Sequence, residues 1–273
     1  MGGTGECTPM PLDPPAEMQE TIDITWDEMT GELSGMMGAR GSQRAIQNYP
    51  SWALDHVMWS GGSLNFCVRW DSEEPVSPTL RDQIADALQR GVDAWFDALT
   101  GYDCFPYDRI AVSITGWATR NRATFQWEDD NLVPLFINQL SNGAPDCPDA
   151  CSRNRHQDAD YQFPDCEGGF DARFDQEVWL TEDYGSPNGW DFGQHVDREG
   201  FTNRVTGALY HIWLHEFGHG IGFPDYYDWD VWAPGVEPPR CVMNAGAAAE
   251  VTDWDEWMFR RTWSELRAMG RWD

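Results

Sequence analysis

Lysine is missing from this 273-residue chain: all eighteen basic residues are arginine, against 46 acidic ones, and the formal net charge is −28. A surface of that sign repels phosphate backbones and anionic lipid, so neither nucleic acid nor a membrane is an expected partner. No apolar run approaches the ~20 residues that a bilayer-spanning helix requires. The first residues carry no basic, apolar and small-residue leader pattern, so an exported chain is expected to have lost its leader. No Cys-x-x-Cys pair of the zinc-ribbon kind occurs among the seven cysteines, Cys7, Cys67, Cys104, Cys147, Cys151, Cys166 and Cys241. Seven is many for a reducing compartment, and a disulfide framework in a secreted, extracellular setting is the better reading. The odd count leaves a thiol over, with Cys7 a candidate, and six paired cysteines allow 15 connectivities. Hydrophobic residues make up 41%, too many for wholesale disorder. What is left is an acidic, globular protein, assumed to be a monomer.

Residues 1–50, rich in Gly, Pro and acid, read as an N-terminal tail, linker or pro-segment remnant, and residues 51–273 as one folded domain. Leu64–Trp70 alternates apolar and polar residues like a half-buried strand. Ser77-Pro78 opens a helix with Leu80, Ile84, Leu88, Val92, Trp95 and Phe96 at helical spacing, closed by Thr100-Gly101. Arg109–Trp117, Leu132–Ile137 and Glu177–Thr181 read as further strands, and Asn142–Gly169 as a long loop rich in Asp, Cys and Pro. From Thr202 to Gly222 only Arg204 and Glu216 carry formal charge, and a helix that is apolar all round belongs in the interior. A last helix runs from Thr252 to Met269 behind a Thr/Asp cap. This order predicts an α+β fold, a sheet with helices packed on it.

Inside the buried helix stands His215-Glu216-Phe217-Gly218-His219. Two histidines four apart lie one turn apart on one face, so both imidazoles can reach one metal ion, with Glu216 beside it. Ionisable groups in an apolar helix need a partner, and a zinc ion supplies one. Gly220 and Gly222 can end the helix, since glycine enters the left-handed conformation at little cost. Asp225, ten residues after His215, is then placed to be the third ligand. Two imidazoles and a carboxylate leave the fourth tetrahedral position for water, the arrangement of a catalytic zinc site.

The run HEFGHGIGFPD resembles the HExxHxxGxxD motif of the metzincin zinc metallopeptidases, in the aspartate variant of snapalysin-type secreted bacterial proteases. The likeness is close from His215 to Met243 and extends elsewhere only to element order. It implies a twisted mixed sheet of about four to five strands with a backing helix, a buried active-site helix, and a C-terminal helix after a methionine turn. Cys241-Val242-Met243-Asn244 fits that turn, with Met243 as its methionine. The resemblance further implies a secreted zinc-dependent endopeptidase acting on a protein or peptide. His215, His219 and Asp225 would hold one catalytic zinc ion, and Glu216 would be general base toward a zinc-activated water. Tyr227 would serve the oxyanion; Ala245 stands where many metzincins have a second tyrosine, which favours Tyr227 for that role. Glu177–Thr181 would be the edge strand on which an extended peptide adds itself, and the small, apolar stretch Asn244–Val251 would wall an open pocket.

The other candidates read as structural. His211, one turn before His215, reads as a hydrogen-bonded core histidine, and His56, His156 and His195 show no ligand spacing. Asp146, Asp149, Asp158, Asp160 and Asp165 could take a structural calcium ion through oxygen ligands, but without EF-hand spacing a solvated acidic loop is the plainer reading. The sixteen tryptophans stand mostly at core spacing. The rival from another class is a zinc-retaining, non-proteolytic secreted binding protein, carbohydrate-binding in one form. Glu216 argues against it, since a pure binder needs no base beside the metal.

Overall fold

The structure, a computed structural model, describes residues 13–31, 45–128, 133–156 and 162–272. In chain order the elements are α1 (Ala16–Thr30), α2 (Ala53–Trp59), β1 (Ser63–Asp71), α3 (Pro78–Phe96), β2 (Ala111–Thr119), β3 (Leu135–Ile137), β4 (Leu140–Ser141) and β5 (Ala144–Pro145). They continue with β6 (Gln176–Thr181), β7 (Asn188–Trp190), β8 (Gly193–Asp197), α4 (Arg198–Thr202), α5 (His211–Ile221), α6 (Trp229–Trp232) and α7 (Asp253–Ala268). The chain divides into a sheet unit, Pro50–Val92 with Ala111–Phe223, and a helical unit, Met1–Tyr49, Asp93–Ile110 and Pro224–Asp273. The architecture is α+β, as the element pattern predicts.

In the sheet unit six strands run in the order β3-β2-β1-β6-β8-β7, all parallel except β7, which pairs antiparallel with β8 at the edge. The four to five strands of the sequence reading thus become six, with β4 and β5 forming a separate hairpin across the start of the stretch read as loop. Strand β1 is buried from Leu64 to Trp70 rather than half-buried, because a strand inside a parallel sheet has both faces covered. On one face Phe66 meets Trp213 and Phe217 of α5, with ring centroids 6.5 and 6.4 Å away. On the other, Cys67 is disulfide-bonded to Cys147, and Arg69 donates to the Pro145 carbonyl (2.7 Å) and to Glu177 (2.8 Å). Cys151–Cys166 closes a second loop there, and both disulfides join one buried cluster with Phe163 and Phe174.

Two assignments need correction. Glu177–Thr181 lies in β6, between β1 and β8, so it is an inner strand, and the edge on that side of the sheet is β7, beyond β8. The helix read from Thr202 starts only at His211, since α4 stops at Thr202 and a turn follows. Arg90 of α3 holds that turn, donating to the carbonyls of Val205 (2.6 Å) and Gly207 (2.9 Å). Guanidinium bonds to carbonyls of this kind replace the helical ones the segment forgoes.

The helical unit gives structure to the stretch read as a tail. Helix α1 buries Ile22, Trp26 and Met29 and packs on α7, where Trp254 Nε1 donates to Thr21 Oγ1 at 2.8 Å. Helix α7 begins as expected, with Thr252 and Asp255 in a reciprocal capping box. Asp255 also accepts from the Val242 amide (3.0 Å), which ties the turn carrying Cys241, Val242 and Met243 to that helix. Burial pushes the Asp255 carboxyl up to about 6. Among the described residues the free thiol is the buried Cys241, and Cys104 is disulfide-bonded; Cys7 lies outside the described residues.

Candidate metal centre

Helix α5 carries Trp213, Leu214, Phe217 and Ile221 as its core residues, and among them it buries three ionisable ones. His215, Glu216 and His219 are 8%, 4% and 6% exposed. The two imidazoles meet edge to face with centroids 5.0 Å apart, and Glu216 Oε2 lies 3.9 Å from His219 Nε2. One ligand atom from each residue falls within 4.8 Å of the others, and among the described residues this is the group that could hold a metal ion.

The helix end orients one of these ligands. Gly222 sits at φ 109°, a left-handed conformation that a side chain would strain, and its amide bonds back to the His219 carbonyl (3.0 Å). The Phe223 amide reaches the Gly218 carbonyl (3.1 Å), completing a Schellman-type cap. That turn lays the Phe223 carbonyl 2.8 Å from His219 Nδ1. A carbonyl can only accept, so Nδ1 donates in this bond, the kind of outer contact that orients a ligating imidazole. The other flank of the helix meets β7. A Cβ on Gly189 would stand 2.0 Å from the Glu216 carbonyl oxygen, so only glycine lets the edge strand approach the helix backbone this closely.

Of the sequence-derived set the structure gathers His215, Glu216 and His219; Asp225, Tyr227 and Met243 lie in the helical unit. There Asp225 is half-buried, Tyr227 is 73% exposed, and Met243 is buried in its turn. The comparisons add no relative. No protein family, curated protein or solved structure matches the chain. The site therefore rests on its own geometry. Sequence reasoning missed the Phe223 carbonyl and Gly189, since a backbone acceptor leaves no trace in residue type and the Asn188-Gly189 pair reads as a turn.

The residues set aside find other partners. Asp146 pairs with Arg69 (3.4 Å) and Asp149 with Arg155 (3.1 Å), while Asp158 and Asp160 lie outside the described residues. His156 bonds the Ala150 carbonyl, His211 at the start of α5 is half-buried against Tyr210, and His56 is fully buried beside Ser51. His195 is sandwiched between Trp179 and Tyr184, with centroids 3.7 and 3.6 Å away, and shares a hydrogen bond with Thr181 (2.8 Å). Burial and the nearby Arg69 guanidinium hold its imidazole down at about 4, against an ordinary 6.5. The folded state thus takes up this proton less readily than the unfolded one. Its stabilisation is complete above pH 6.5 and is lost as pH falls through about 4, an effect of at most about 3 kcal/mol. His195→Gln is expected to shallow the fall of the thermal midpoint across that window; a slope equal to wild type would place the acid sensitivity elsewhere, as at His56.

Proposed function

We propose that the protein is a zinc-dependent endopeptidase of metzincin-like design, exported to a compartment where its disulfides persist. The observation that carries this reading is the buried His215–Glu216–His219 group on one helix, with His219 oriented by the bond at its Nδ1. The donor chemistry fits zinc: two imidazoles with a carboxylate from Asp225, assigned by its spacing in the sequence, leave a position for water. Bound zinc would supply Lewis-acid polarisation of the scissile carbonyl and acidify that water. Glu216, beside the imidazoles, would accept the water proton and return it to the leaving amine. The exposed Tyr227 hydroxyl would donate to the developing oxyanion, and Met243 would pack beneath the site. The substrate is an extended stretch of protein or peptide, with β7 as the edge strand it would join. The Cys67–Cys147 and Cys151–Cys166 disulfides support an oxidising destination, and no helix among the described residues is long and apolar enough to cross a membrane.

Nothing favours the carbohydrate-binding alternative. Ten of the sixteen tryptophans are buried and the other six are half-buried, so none stands out as an open stacking platform for a sugar. The test is metal removal. The purified protein is expected to hold one zinc ion per chain, to cleave casein or a quenched peptide, to stop when a chelator strips the metal, and to resume when zinc returns. Cleavage that persists in metal-free protein would end this reading.

A further inference from the structure

The segment that follows α5 is anchored by one buried aromatic residue. Tyr226, between Asp225 and Tyr227, is 5% exposed, and its ring packs against Trp229, Trp232 and Trp254 at centroid distances of 5.3, 5.7 and 5.8 Å. Its hydroxyl lies 3.0 Å from Thr25 Oγ1 on α1. Thr25 already donates to the Thr21 carbonyl (2.9 Å), so its oxygen accepts here and the tyrosine hydroxyl donates. One turn earlier on α1, Thr21 Oγ1 takes the Trp254 indole proton at 2.8 Å. Two buried hydrogen bonds on one helix face thus clasp the Tyr226 side chain and α7 together. A buried bond of this kind has a fixed geometry, because neither partner finds water as a substitute.

We infer that Thr25 and Tyr226 are positioning residues for the metal site: their bond fixes the backbone of Asp225-Tyr226-Tyr227 and so the direction in which the Asp225 carboxylate points. The inference rests on the reading of Asp225 as third ligand. An indirect support for a ligand is worth roughly 10–100-fold in metal affinity, the range seen when such supports are removed.

The experiment compares full-length Tyr226→Phe, Thr25→Val, the double variant and Thr25→Ser, with Asp225→Asn alongside. Zinc affinity is read by chelator competition, coordination by the visible spectrum of the cobalt-substituted protein, and folding by the thermal midpoint of the metal-free form. Tyr226→Phe and Thr25→Val are each expected to weaken zinc about tenfold and to alter the cobalt spectrum. The double variant should be no worse than either single one, because both remove one bond. Thr25→Ser keeps the oxygen and is expected to bind zinc as the wild type does. Wild-type affinity in Tyr226→Phe and Thr25→Val, while Asp225→Asn loses zinc, would overturn the inference and leave the ligand assignment standing. Weakening in Thr25→Ser equal to that in Thr25→Val would trace the effect to packing and overturn it too. Wild-type affinity in Asp225→Asn would remove the ligand assignment, and the inference with it.

Discussion

Glu216→Gln is expected to lower peptide-bond hydrolysis by about a thousandfold while leaving zinc in place, the middle of the range for loss of a positioned general base. The exchange keeps the shape of the side chain and removes its ability to take a proton. It leaves the close approach of Gly189 unchanged, because that contact is with the Glu216 carbonyl and not with its side chain. Zinc should stay because two imidazoles and Asp225 suffice as protein ligands. The paired measurement is kcat with zinc per chain. Undiminished turnover would remove Glu216 from the mechanism. Loss of zinc together with activity would show that the carboxylate, which lies within ligand distance of both imidazoles, is itself a ligand.

Removing the Cys67–Cys147 disulfide by paired alanines is expected to destabilise the fold by about 4–5 kcal/mol, the larger of two unequal losses. The bond joins residues 80 apart, and closing so long a loop takes the most conformational freedom from the unfolded chain. Cys151–Cys166 spans only 15 residues, for which the same relation gives about 3 kcal/mol. Both bonds lie in the cluster that covers one face of β1, so each pair of alanines also leaves unfilled space there. Urea unfolding of the two paired variants against wild type gives the ranking directly. A smaller loss for Cys67–Cys147 than for Cys151–Cys166 would show that the unfolded chain is already constrained around the longer loop.

Helix α5 was legible because its apolar composition and the two histidines speak for the same element, and α7 because a capping Thr precedes its aromatic stripe. The N-terminal helix was hidden. Met18, Ile22, Trp26 and Met29 do form a helical stripe, but Glu17, Glu20, Asp23, Asp27 and Glu28 surround it and Pro and Gly precede it. Its partner, α7, lies at the other end of the sequence, beyond the reach of any local pattern. Strands β7 and β8 were missed for a different reason: they are short, and β8 places Gln194 and His195 in the interior. Gln194 Nε2 donates to Gln176 and His195 bonds Thr181, both on β6, and a pairing across strands does not show in either strand alone. At the candidate site the imidazoles and carboxylate were readable from spacing, whereas the Phe223 carbonyl contact that orients His219 exists only once the Gly222 turn has formed.

The bond between Thr21 and Trp254 joins residues 233 positions apart. At synthesis rates of about 5–20 residues per second, α1 must wait roughly 10–50 s for α7. During that interval Ile22, Trp26 and Met29 lack the α7 surface, so the nascent chain is an apt client for a holding chaperone until α7 emerges.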